Sequence, residues 1–385
     1  MELCSQEKCS SCLACYNACP INAIGIEYNS YGAIQPIINI RECKDCHICQ
    51  RACPEKEPPV FHLPKKTFAL YTKDDFDKIT CASGGAATTF SRYIISKGGC
   101  VFSATSIGGY PHFIKVDNMD ALEYLKGSKY VYCDPGNIYK EVKEELHSGK
   151  TCLFIGTPCN VGGLLAFLKK DYENLITIDL ICHGAPPFSY LKEHIESKVG
   201  DYSKVGNFTF RGKDDFYLTV FDKNNNVIYK REQYEDEYFM AFMQGSIFRP
   251  VCYECQYAQN MRVADITIGD FWNLSTDALN NYTGKVSLAL LNTNKSKDFF
   301  GKAKELFNYQ ERDIIEAING NDQLRHPSPR LKQREDFIKL YFEHKSIQKA
   351  FQYMGITTLS RKNKVRRYVL YLPRIVKRLI LSKKI

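Results

Sequence analysis

Residues 9–20 read C-S-S-C-L-A-C-Y-N-A-C-P, and residues 43–54 read C-K-D-C-H-I-C-Q-R-A-C-P. Both obey C-x-x-C-x-x-C-x-x-x-C-P, the second copy displaced by 34 positions. Three thiolates spaced by two residues wrap one face of an iron–sulfur cubane, while the fourth, held by the following proline, points away and ligates the other cluster. The spacing therefore assigns one [4Fe–4S] cluster to Cys9, Cys12, Cys15 and Cys53, and a second to Cys43, Cys46, Cys49 and Cys19. Four-cysteine zinc sites also use C-x-x-C pairs, but they separate two pairs by a long spacer and do not call for three evenly spaced cysteines followed by C-P.

Between the copies, alternating isoleucines flank the polar Asn29-Ser30-Tyr31-Gly32, the pattern of a β-hairpin. Cys4 lies outside the repeat and reads as an ordinary cysteine. Residues 1–62 are thus expected to form an α+β domain that resembles a bacterial-type two-cluster ferredoxin. A proline-rich hinge, E-K-E-P-P-V-F-H-L-P-K-K, follows.

The chain has 385 residues, more than one compact core usually holds. Seventeen cysteines in a chain that opens M-E-L-C, without a basic and then apolar leader, read as reduced thiols in the cytoplasm. No run reaches the roughly 18 apolar residues that a membrane-spanning helix needs. The net charge of +9 is local: residues 361–385 hold ten Lys or Arg and no acid, leaving 42 basic against 43 acidic residues elsewhere. Outside that tail the composition gives no support for nucleic-acid binding.

After the hinge, C-A-S-G-G-A-A-T-T-F begins a predicted helix that runs to about Lys97, so backbone N–H groups at its start would face an anion. Apolar strands at Val101–Ile107, Cys152–Ile155 and Leu175–Ile181 alternate with amphipathic stretches, which predicts an α/β layer. Four more stretches follow: G-S-K-Y-V-Y at 127–132, F-I-G-T-P-C-N-V-G-G-L at 154–164, D-L-I-C-H-G-A-P-P at 179–187, and R-P-V-C-Y-E-C-Q-Y-A with A-D-I-T-I-G-D-F-W at 249–272.

Together with C-A-S-G-G, and in this order, these stretches resemble the coenzyme F420 hydrogenase/dehydrogenase beta-subunit family, over residues 1 to about 295. The resemblance implies FAD, with Ser83, Gly84, Gly85 and Thr88 against its phosphates. Ser128, Lys129 and Tyr130 fall in a second stretch assigned to the flavin pocket, although Lys129 reads equally as a solvated surface lysine. It also implies an oxidoreductase that passes electrons between clusters and FAD to reduce or oxidise a small-molecule substrate or a deazaflavin-type coenzyme, with reduced ferredoxin or another redox protein as partner. The alternative is a non-catalytic subunit that relays electrons to a partner enzyme.

Cys159, Cys182, Cys252 and Cys255 each sit inside one of the matching motifs, and four is the number a cubane requires, so a third [4Fe–4S] cluster is expected there, with structural zinc as the competitor. Cys81, Cys100, Cys133 and Cys152 lie in or beside apolar runs and read as small buried hydrophobes. His183 and Asp270 adjoin the motifs, but they read as turn-bracing groups rather than proton donors, so the catalytic residues stay unassigned.

The expected domains are 1–62, a FAD-binding α/β domain over 63–295, and a helical region over 296–385. In that last region K-S-K-D-F-F-G-K-A-K-E-L-F and D-F-I-K-L-Y-F-E-H-K have helical period. Its tail, 361–385, carries an apolar stripe among basic residues, interrupted by Pro373. Such a segment either packs on its own core or contacts an anionic membrane at its cytoplasmic face.

Overall fold

In a computed structural model, residues 3–212 and 216–366 are described. Most of the basic apolar stripe, and with it the expected membrane contact, lies outside the described residues. Among those described, no helix is long and apolar enough to cross a membrane.

The N-terminal part consists of two short helices, Ala14–Ala18 and Ile48–Arg51, and an antiparallel hairpin of β1 (Ile24–Tyr28) and β2 (Ile34–Ile38). The hairpin closes where expected: the Asn29 side chain accepts from the backbone N–H groups of Tyr31 and Ala33, both at 3.0 Å, and Gly32 supplies the left-handed residue at φ 72°. The two cysteine repeats fold alike. Ser11 and Leu13 have φ of 58° and 59°, and their counterparts 34 positions on, Asp45 and His47, have 51° and 59°. A non-glycine residue in this region costs on the order of 1–3 kcal/mol and persists only where its surroundings hold it there. Four such residues at matching positions mark both loops as built around something.

The larger part is an α/β layer. Eight strands form one mixed sheet: β3 (Lys66–Thr72), β4 (Cys100–Thr105), β5 (His112–Val116), β6 (Cys152–Gly156), β7 (Leu175–Leu180), β11 (Ile266–Asp270), β12 (Ser287–Leu291) and β13 (Phe307–Glu311). Their spatial order is β13-β3-β12-β11-β7-β6-β4-β5. The centre, β11-β7-β6-β4, is parallel, and the flanking pairs are antiparallel. Because β13 is an edge of this sheet, the layer continues past residue 295.

Side-chain alternation along β6 explains its uninterrupted apolar run, since a strand covered on both faces needs hydrophobic residues at every position. Leu153 and Ile155 face a core with Phe90, Phe299 and Phe307, under helices Ala86–Ser96 and Asn294–Ala303. Cys152 and Phe154 face the opposite core with Tyr139, Val142 and Leu164, under helices Ile138–His147 and Pro158–Leu168. A second, antiparallel sheet of β8 (Val205–Thr209), β9 (Tyr217–Asp222) and β10 (Val227–Glu232) packs with helices Glu237–Met243, Lys332–His344 and Ile347–Tyr353 around Phe208, Phe239, Phe337 and Phe351. The two C-terminal stretches of helical period are therefore packing helices.

The N-terminal part is held firmly against the α/β layer. Asn17 Nδ2 donates to the Gly136 carbonyl at 2.8 Å, and the Tyr132 hydroxyl donates to the Ser11 carbonyl. Helix Pro158–Leu168 has no side chain where it meets the cysteine loop. A Cβ on Gly163 would stand 2.8 Å from Cys12 Cβ, 3.1 Å from its Sγ and 2.9 Å from the Tyr139 hydroxyl.

Gly163→Ala is therefore expected to cost about 1–3 kcal/mol by overpacking, whereas Gly301→Ala, whose Cβ meets nothing within 4 Å, should gain up to about 1 kcal/mol of helix propensity. Thermal unfolding of the two variants checks this: the transition should move down for the first and up or not at all for the second. Equal shifts would show that the Gly163 contact is soft.

Candidate functional site

The cysteines of the repeats separate into two groups across the repeats. The thiols of Cys9, Cys12 and Cys15 lie close to that of Cys53 rather than Cys19. Burial pushes Cys12 up to about 12, and the charges of Cys9 and Cys53 add to the rise; Cys15 is raised by burial and then by Cys12, Cys9 and Cys53. Cys49, raised by burial, instead feels Cys19 and Cys46. Backbone N–H groups point at the sulfurs in equivalent places, Ser11 to Cys9 and Asp45 to Cys43, each at 3.4 Å, and Ala23 donates to Cys19 at 3.2 Å. The inner group faces the α/β layer, whereas Cys46 of the outer group is exposed. Cys4 joins the inner group: it hydrogen-bonds to Cys53 and Cys9, which lowers both of those thiols. Its distance from the repeat in sequence gave no sign of this.

Cys159, Cys182, Cys252 and Cys255 also come together. Cys159 lies in the first turn of helix Pro158–Leu168, directly after β6, and Cys182 lies two residues after β7. These are the carboxyl ends of neighbouring parallel strands, where open α/β sheets place their ligands. Cys252 lies within the turn Pro250–Glu254, and Cys255 directly follows it. Burial raises Cys182, followed by the charges of Cys159, Cys252 and Cys255; Cys255 is pushed up to about 12 by burial and then by Cys159 and Cys252. Thiols buried this closely without carboxylates among them suit a thiophilic metal centre.

Both cysteine groups line one cavity of about 1170 Å³, which extends to the start of helix Ala86–Ser96. Ser83, Gly85 and Thr88 are on its wall, and Gly85 at the N-cap offers no side chain to the first-turn N–H groups, so they are uncapped. The two glycines are required by packing. A Cβ on Gly84 would meet Ser287 N at 2.5 Å and the Leu70 carbonyl oxygen at 2.6 Å, and Gly85 has φ 84° with Thr72 3.0 Å from its would-be Cβ. Their presence is therefore explained by the way this turn enters the sheet, with no phosphate needed.

Ser128, Lys129 and Tyr130 also line the cavity. Ser128 is bridged to Arg211, and Tyr130 stacks on Phe242 at 4.5 Å between ring centres. Lys129 is a wall residue rather than a free surface lysine: Nζ donates to the carbonyls of Leu125 and Lys126, both at 2.9 Å, and burial lowers its ammonium to about 8.

His183 opens onto the cavity, its imidazole lowered by burial, and its carbonyl accepts from the Ser328 hydroxyl at 2.6 Å. Asp270 pairs with the buried Arg211 at 2.5 Å. Cys133 and Cys81 line the cavity as well, while Cys100 and Cys152 face each other at 3.6 Å across β4 and β6. His194, Asp236 and Glu237 form another close group of ligand-type atoms, but their bonds are structural. Asp236 caps helix Glu237–Met243 and meets His194 at 2.8 Å, and Glu237 pairs with Lys198 at 2.9 Å.

Fold and site together define an iron–sulfur electron-transfer protein with an attached α/β domain. Residues 8–56 match the family model of the 4Fe-4S dicluster domain, and residues 149–316 match that of the C terminus of the coenzyme F420 hydrogenase/dehydrogenase beta subunit. Residues 149–316 thus carry the C-terminal domain of the coenzyme F420 hydrogenase/dehydrogenase beta-subunit family, joined to an N-terminal dicluster domain. No curated protein sequence matches it. Among solved structures, it is similar to a chain of the xenon-derivatised F420-reducing [NiFe] hydrogenase complex from Methanosarcina barkeri, at 17% identity and TM-score 0.46, covering 76% of this chain and 91% of that one.

The crossed grouping of the thiols makes a specific expectation for Cys19→Ser. It should deplete the site formed with Cys43, Cys46 and Cys49, leaving the inner one intact, as followed by paramagnetic resonance of the reduced protein. Loss confined to the Cys9, Cys12 and Cys15 signal would contradict the crossed assignment.

Proposed function

We propose that this protein is an iron–sulfur flavoprotein oxidoreductase. Its clusters are held by the inner cysteines (Cys9, Cys12, Cys15, Cys53), the outer cysteines (Cys19, Cys43, Cys46, Cys49) and the set Cys159, Cys182, Cys252 and Cys255, with FAD in the rest of the cavity. The observation that carries this reading is one shared cavity, whose wall holds both the inner thiols and the uncapped start of helix Ala86–Ser96. Clusters supply one-electron steps, and a flavin joins these to two-electron chemistry on a small-molecule substrate or a deazaflavin-type coenzyme.

The chain's own groups divide the work. The N–H groups of Ala86, Ala87 and Thr88, at the positive end of an eleven-residue helix, suit a diphosphate. Lys129, fixed by two carbonyls, adds a positive charge that is lost progressively as pH rises through about 8. The exposed face around Cys46 is the natural entry or exit point for electrons from ferredoxin or another redox protein. A pure relay would need the clusters and that face but would have no use for a cavity of this size.

Ala87→Asp separates flavin binding from folding. A carboxylate in the first turn of a helix stabilises it by about 0.3–1 kcal/mol, yet it would repel a diphosphate on the same N–H groups. FAD per chain after anaerobic reconstitution should fall at least tenfold, with iron content maintained. Unchanged flavin content would place the phosphates elsewhere.

A further inference from the structure

Arg249 is 3% exposed and lies in the wall between the inner cysteines and the Cys159 set. Its Nη1 donates to the Ser10 carbonyl at 2.6 Å, between Cys9 and Cys12, and its Nε donates to the Ala185 carbonyl at 3.1 Å, three residues past Cys182. The guanidinium sits over the Tyr132 ring at 4.3 Å. Its own carbonyl accepts from the N–H of Cys252 at 3.0 Å. One side chain thus bonds directly to the loops of both cysteine groups.

Among the described residues, no carboxylate pairs with Arg249. A guanidinium cannot shed its proton to escape burial, so it needs an anion nearby. Around it, on the same cavity wall, lie the cysteines of both sets. A [4Fe–4S] core bound by four thiolates is anionic overall, and one-electron reduction adds a further negative charge, so a fixed cation beside it favours the reduced form.

We propose that Arg249 is a positioning residue whose fixed charge is shared by the inner cysteine set and the Cys159, Cys182, Cys252 and Cys255 set, raising the reduction potentials of both together. This rests on the reading that the second set holds a cluster. No bond is made or broken in this role; the added electron comes from an external reductant.

The test uses the full chain, reconstituted anaerobically and titrated with dithionite while paramagnetic resonance follows each cluster, in wild type, Arg249→Gln and Arg249→Lys, with iron counted in each. Arg249→Gln removes the charge and keeps a donor. At the wild-type midpoint its reduced-to-oxidised ratio should fall about tenfold, equivalent to about 59 mV for one electron, for both groups of signals. Arg249→Lys should stay within threefold of wild type. Loss of iron from the Gln variant alone would also support the charge as the requirement. An unshifted Gln variant, or Gln and Lys variants that shift or lose iron alike, would overturn the proposal. Iron counting separates the underlying reading: about eight irons per wild-type chain instead of twelve would remove the third cluster and the shared role, while the inner signal would still report on Arg249.

Discussion

The contact between Gly163 and Cys12 is the constraint on which the site depends. Helix Pro158–Leu168 carries Cys159 in its first turn and, one turn later, presents a bare backbone to the inner cysteine loop, where any side chain would collide with Cys12. The same helix thus bears a cysteine of one group and touches a cysteine of the other. Asn17, Tyr132 and Arg249 then fix the loop by hydrogen bonds to main-chain carbonyls. A ferredoxin-like unit on a flexible hinge would need none of these bonds. Here it is a wall of the cavity.

Position within the sheet decides the rest. The parallel centre directs the ends of β6, β7 and β11 to the same side, so Cys159, Cys182 and Asp270 converge although they are far apart in the chain. The C-terminal helices close on this region too: Ser328 holds the His183 carbonyl, and Ile356 and Leu359 reach the cavity wall. The part of the chain beyond the family match therefore helps to shape the space in which a substrate would sit.

Local and periodic features were legible in the sequence. The hairpin around Gly32, the strands at β4, β6 and β7 and the helix after Gly85 each follow from short-range pattern, and the repeat spacing separated Cys53 from Cys19. Features made by long-range contact were not. Cys4 looked irrelevant because its neighbours, Cys9 and Cys53, are brought to it by the fold. That packing against Ser287, Leu70 and Thr72 also requires Gly84 and Gly85 was not visible from the turn alone. Arg249 stood in plain view beside Cys252, but one sequence cannot reveal that an arginine is buried with its guanidinium bonded to the carbonyls of Ser10 and Ala185. β13 was hidden because an edge strand of alternating, half-exposed residues carries little apolar signal.

The central claim is that one cavity serves two cysteine groups and a flavin, with the third cysteine group lying outside it. Its most direct test is the stoichiometry of iron, zinc and FAD in protein isolated without oxygen, together with the absorbance spectrum. The account predicts about twelve irons per chain, one FAD and no zinc, with flavin and iron–sulfur bands bleached together on reduction. About eight irons with one zinc, or a full complement of iron with no flavin, would contradict it.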